Sequence, residues 1–203
     1  MVVEVPVILV GTFTSGLAAF SFAKMKLPHS RFWLLVLMSS MMVPYAALFL
    51  PQYQIYNSLS MTNTLWPLIL PGLFGNVSMI FFFVQFMGGI PNALFEAAEI
   101  DGCGHFKSFL SIMLPLLWPA MAAQGVFWFL GIWNDYFAPS IYLTRPEVMT
   151  LQPLITSLNA SQRGTNFPLV MTGAFLSSVP LLAVYLFFQK YFIRALSITS
   201  GIK

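Results

Sequence analysis

Residues Glu96 to Pro115 read EAAEIDGCGHFKSFLSIMLP, and three of the chain's six acidic residues, Glu96, Glu99 and Asp101, fall inside that stretch. Carboxylates grouped on one short polar segment beside long apolar runs suit recognition by something in water. Catalysis would need nucleophile, base or metal groups at a site, and the apolar runs hold no His, Cys, Asp or Glu in their middles. Intramembrane chemistry normally shows ionisable residues, so a membrane-embedded enzyme is disfavoured and no catalytic residue is assigned. His29 and His105 fall in polar loops and read as surface residues, so no metal is expected. No glycine-rich loop runs into a Lys-Ser/Thr pair, so nucleotide is not expected on this chain. No basic patch suits nucleic acid, and Cys103 stands alone, which leaves no internal disulfide. A small, partly buried thiol is the reading for Cys103.

The elements that must hold this segment are membrane helices. The chain is 58% hydrophobic and 7% charged, with a mean hydropathy of +0.81. Soluble domains carry about 25% charged residues. Runs of about 20 apolar residues mark spans, and five are expected: 5–23, 32–50, 65–87, 112–132 and 168–189, giving an all-α polytopic bundle. The N-terminus MVVEVPVILV has no basic residue before its apolar run, so it reads as a retained span and not a leader. Seven of the nine Lys and Arg fall on one side: Lys24, Lys26, Arg31, Lys107, Lys190, Arg194 and Lys203. Arg145 and Arg163 fall on the other. The positive-inside rule makes the larger set cytoplasmic, with the N-terminus outside and the C-terminus inside.

The segment 88–111 is then a cytoplasmic loop. Gly88-Gly89 permits a sharp turn after the third span, and Pro91 suits the first turn of a new helix. Asn92 to Asp101 is helix-forming, and Gly102 suits the stop. Ala97 and Ala98 give a smooth patch where another backbone can approach. From His105 a second helix is expected, with Phe106, Phe109, Leu110 and Met113 on one face and an interruption at Pro115. A surface helix without a partner fits the same pattern, because amphipathic interfacial helices are common.

The spaced set of Glu96, Ala97, Ala98, Gly102, Ile112, Leu114 and Pro115 resembles the signature loop of binding-protein-dependent ABC importer permeases. SGLAAFSFAKMKLP, IPNALFEAAEIDG, FLGIWNDYFAPSIYL and FFQKYFIRALSITSGIK are similar to the carbohydrate branch, in particular the maltose-type second permease subunit. The resemblance implies a type I ABC importer permease fold and a sugar importer in the plasma membrane. It also implies a second permease subunit, two ATP-binding subunits that hold the ATP and Mg, and an extracytoplasmic solute-binding protein. Glu96, Ala97, Ala98, Asp101 and Gly102 would couple to the ATPase. Ser200, Gly201 and Lys203 would sit at the ATPase interface, and 136–167 would face the binding protein. Such permeases carry one more span before the position matching Met1, so this chain is expected to lack their first span. The alternatives are a truncated, assembly-only or inactive permease fragment, and an importer of the same class for a non-sugar solute.

Asn76, Gln85 and Gln124, with Ser78 and Thr172, are polar side chains inside the expected spans. They either line a sugar path or join helices by hydrogen bonds. Asn134 and Asp135 follow Trp133 at the outer end of the fourth span. They read as the mouth of the path or as a helix end beside an interfacial Trp anchor. Trp118, Trp128 and Trp133 either stack on a sugar ring or pack in the core and interface belts.

Overall fold

The computed structural model describes the backbone of residues 1–159 and 167–200, with side chains of 1–157 and 167–189. Every regular element among them is helical, as lipid requires of backbone whose polar groups find no water. The helices are α1 (Glu4–Lys24), α2 (Ser30–Ser40), α3 (Tyr45–Ser58), α4 (Trp66–Leu73), α5 (Val77–Gly88), α6 (Ala93–Ile100), α7 (His105–Ser108), α8 (Leu114–Trp133), α9 (Phe137–Tyr142), α10 (Leu151–Asn159) and α11 (Phe167–Ser200). Four stretches are long and apolar enough to cross a membrane: 4–24, 66–88, 105–133 and 167–189. This is a multi-pass membrane protein.

The expected span over 32–50 is sharply bent. It divides into α2 and α3, which meet at 86°. Pro44 has φ −65° and ψ 133°; proline lacks the N–H that would continue the helix and forces the residue before it out of helical geometry. The carbonyls freed at the end of α2 are covered locally. Ser39 and Ser40 donate to the Val36 and Leu37 carbonyls at 2.7 and 2.6 Å. With 11 residues, α2 reaches roughly 16 Å, about half of the hydrocarbon thickness.

The stretch 105–133 also departs from expectation. Pro115 does not interrupt it; the helix passes from α7 through one π-helical turn, Phe109–Met113, into α8. A proline ring presses on the carbonyl four residues back, and the wider turn immediately before Pro115 makes room. The extra residue in that turn also splits the expected apolar face. Phe109 and Met113 are fully buried, whereas Phe106 and Leu110 are exposed.

α1 is the central helix and packs on α4, α5 and α8. Its inner face is a seam of small residues, Gly11, Ser15, Gly16 and Ala19, all buried. Small residues let membrane helices approach backbone to backbone. A Cβ on Gly11 would lie 2.2 Å from the Gly72 carbonyl oxygen and 2.5 Å from the Trp128 ring. Hydrogen bonds close the same seam: Thr14 Oγ1 donates to the Leu73 carbonyl at 3.0 Å, and Asn76 N–H donates to Ser15 Oγ at 2.9 Å. Both reach the break between α4 and α5, where Gly75 has φ +102°. α1 therefore supplies the partners that a broken membrane helix must find.

Towards the Lys24 end the core becomes large and apolar, with Phe20, Met79, Phe83, Met87, Phe109 and Leu117 buried together. At the opposite end, Tyr56, Ala138, Tyr142 and Leu143 form a second cluster. Asn63 Oδ1 accepts from Thr144 N–H at 2.8 Å and Arg145 N–H at 3.1 Å, which ties the 59–65 loop to the segment after α9.

Candidate functional site: a capped surface helix and a cavity

The sequence places Glu96, Ala97 and Ala98 on α6, and the structure gives that helix a defined end. Gly102 N–H donates to the Glu99 carbonyl at 3.0 Å and Cys103 N–H to the Ala98 carbonyl at 2.8 Å. Asp101 is the C-cap and Gly102 follows with φ +77°. This paired closure over a left-handed residue is the Schellman arrangement, for which glycine is preferred. Glu96, Ala97, Glu99, Asp101 and Gly102 are exposed, and Ile100 is 86% exposed. Ala98 is instead buried against the chain itself, so only Ala97 of the alanine pair presents the smooth surface expected of both.

α6 is held on its inner side. Phe95 packs against Phe20 with ring centroids 5.8 Å apart. Lys24 Nζ donates to the Ile90 carbonyl and to Asn92 Oδ1, each at 2.7 Å, and lies 5.4 Å from the Phe95 ring centroid. In the sequence alone Lys24 marks only topology, as one of the basic residues on the larger side. Its spacing of four from Phe20 places the two on one helix face, the one signal that both meet the same neighbour.

At the Glu4 end a cavity of about 460 Å³ opens between α1, α4, α8 and α9, lined by Glu4, Tyr45, Gln52, Asn76, Asp135 and Thr150, with Trp128 on one wall. Two expected path residues, Asn76 and Asp135, meet here. Both also serve the fold. Asn76 Oδ1 caps α5 by accepting from Met79 N–H at 3.2 Å, and Asp135 Oδ1 accepts from the Phe137 and Ala138 N–H groups that start α9, at 2.9 and 3.3 Å. Asn134 is exposed and donates to the Leu130 carbonyl at 2.8 Å. Gln85 is exposed and Gln124 half-buried, and neither lines this cavity. Ser78 contacts the Met41 sulfur and Thr172 bonds the Pro168 carbonyl. Ser200, Gly201 and Lys203 lie outside the residues whose side chains are described, as does Arg163.

Glu4 was missed because it stands just outside the first apolar run. It is nonetheless buried, pairing with the Met1 ammonium. The legible signal was its register, on the face that carries Val7, Gly11 and Ser15. Of the three tryptophans weighed, Trp118 is 56% exposed. Trp133 Nε1 donates to the Ser177 carbonyl at 3.0 Å and ties α8 to α11. Among the described residues no group of three or more His, Cys, Asp and Glu is placed to hold a metal.

The arabinooligosaccharides transport system permease protein AraQ of Halalkalibacterium halodurans is 30% identical over 201 residues, 99% of this chain and 71% of that protein. The protein of the same name from Bacillus subtilis is 36% identical over 163 residues, 80% of this chain and 57% of that one. The lactose transport system permease protein LacG of Rhizobium radiobacter is 30% identical over 197 residues, 95% of this chain and 71% of that protein. The chain thus spans between 57% and 71% of these relatives' lengths. Among solved structures, a bacterial ABC transporter involved in the import of the acidic polysaccharide alginate superposes with a TM-score of 0.74 at 21% identity, over 93% of this chain and 72% of that one. The fold is that of an ABC importer permease chain. The profile of binding-protein-dependent transport system inner membrane components matches residues 9–198, and with relatives aligned over nearly its whole length this chain belongs to that family.

Proposed function

We propose that the chain is a permease subunit of an ATP-driven sugar importer, coupled through α6 to a separate ATPase. The observation that carries this is the state of α6: a short helix with a fixed stop, exposed at Glu96, Ala97, Glu99 and Ile100 and anchored behind by Phe95. Closure of two ATP-binding subunits moves α6, and the spans joined to it tilt. A second permease subunit completes the path, and an extracytoplasmic binding protein delivers solute at the Glu4 end. In this reading the Lys24 end is cytoplasmic, and ATP and Mg belong to the partner ATPase. Ser200, Gly201 and Lys203 extend the contact with that ATPase.

The cargo class rests on relatives named for arabinooligosaccharide, α-glucoside and lactose transport. A largely apolar cavity that carries a few amide, hydroxyl and carboxylate groups and one indole wall suits sugar hydroxyls and a pyranose face. Asn76 and Asp135 contribute to that mouth, while Gln85, Gln124 and Asn134 act elsewhere on the path or between helices. The test is a single cysteine at Ala97 in a Cys103→Ser background, within the complex purified from native membranes through a tag on this chain. Crosslinking to a nucleotide-hydrolysing subunit is expected. A complex that imports solute while Ala97→Cys touches no such subunit overturns the proposal.

A further inference from the structure

Asn92 stands at the N-cap of α6, where an asparagine normally accepts a hydrogen bond from a backbone N–H of the first turn. Its side chain makes no cap bond here. Its Oδ1 accepts from Lys24 Nζ on α1 instead, at 2.7 Å. The same ammonium bonds the Ile90 carbonyl at 2.7 Å, so it holds both the turn between α5 and α6 and the N-cap of α6. One helical turn back on α1, Phe20 packs against Phe95 of α6 at 5.8 Å and against Phe109 at the start of the π turn at 5.5 Å. Two residues spaced by four on α1 thus grip two residues spaced by three on α6. Bonds to a charged donor are about twice as strong as neutral ones. Lys24 is only half-buried, which leaves the contact able to exchange during a motion.

We infer that Lys24 is a positioning residue that latches the docking helix to α1, so that displacement of α6 is transmitted to the central helix and not only along the chain to α5 and α8. The inference rests on the reading of α6 as the ATPase-docking element. Without the Lys24 contacts, α6 moves against α1 through the glycine turn at Gly88-Gly89, and nucleotide-driven motion is lost before it reaches the cavity at the other end.

The experiment reads transmission directly. The complex purified through this chain is reconstituted in proteoliposomes with a single reporter cysteine, Thr150→Cys, at the cavity wall in a Cys103→Ser background. Its rate of labelling by a charged maleimide is measured without nucleotide and with ATP plus vanadate. Nucleotide is expected to change the rate about fivefold or more. Lys24→Met should reduce that change to less than about twofold while ATP hydrolysis continues, and Lys24→Arg, which keeps the charge and donors, should restore it. Should Lys24→Met fail to assemble, exposed Asn92→Leu takes its place, with the same loss expected. A full nucleotide response in Lys24→Met, or in Asn92→Leu, overturns the latch and leaves the docking role of α6 standing. No nucleotide response with Lys24 intact overturns both.

Discussion

Glycine does two separate jobs in this chain, and substitution separates them. At Gly102 a Cβ would meet nothing within 4 Å, but φ is +77°, a conformation that costs a residue with a branched side chain about 1–2 kcal/mol. Gly102→Val should therefore leave insertion and assembly intact and lower ATP-driven uptake, with Gly102→Asn milder because asparagine tolerates the left-handed region. Uptake assayed beside membrane abundance checks this. At Gly11 the conformation is ordinary helix and the space is absent, since the Gly72 carbonyl occupies the Cβ position. Gly11→Leu should destabilise the fold by about 3 kcal/mol, as overpacked cores do. Gly131→Leu, where nothing lies within 4 Å, should be neutral in the same thermal unfolding assay in detergent.

At the scale of elements, breaks are as informative as spans. The break between α4 and α5 is satisfied by Ser15, Thr14 and Asn76, and the break between α2 and α3 by Ser39, Ser40 and Pro44 geometry. The first is buried against α1 and the second lies at the periphery, where α2 buries no residue. Ser15→Ala should remove the hydroxyl that partners Asn76 N–H, with a loss of about 1 kcal/mol in unfolding free energy, whereas Ser40→Ala should change it by less than about 0.5 kcal/mol. The outer tie between α8, α10 and α11 gives a matching expectation. Gln152 donates to Ser177 Oγ at 3.1 Å and reaches the Trp133 carbonyl, so Gln152→Ala should raise proteolysis within 151–157 in membranes without changing α6 exposure. Limited digestion followed by mass spectrometry reads both.

For the whole molecule, topology follows from the alternation of ends. α1 and α4–α5 run parallel, because Lys24 meets Ile90 at one end and Ser15 meets Asn76 further along; α8 returns and α11 descends beside it. A cysteine at Asn57 or Asn63 should label from outside intact cells, and one at Lys26 only after permeabilisation; the reverse pattern would invert the orientation set by the basic residues. Many large side chains of α2, α3 and α11 are exposed, and in the proposed assembly lipid or a second permease chain covers such surface. Native mass spectrometry of the complex purified through this chain should find one further permease and two ATPase copies.

Composition and spacing determined the membrane class, four long apolar helices and the short helix before Gly102, because apolar length and a glycine-stopped helix are local properties of consecutive residues. The stop at Gly102 was legible for the same reason: one residue's tolerance for positive φ closes its own turn. What lay outside local reach was decided by packing. The 86° bend of 32–50 depends on which carbonyls find partners once Pro44 breaks the ladder, and the π turn before Pro115 rotates Phe106 and Leu110 out of the face they were expected to share with Phe109. Only the tertiary structure brought Lys24 to Asn92, 68 residues away, and put Glu4 and Asp135 on the lining of one cavity. A hydrogen bond between distant helices depends on register and crossing, and no single stretch of chain carries that information.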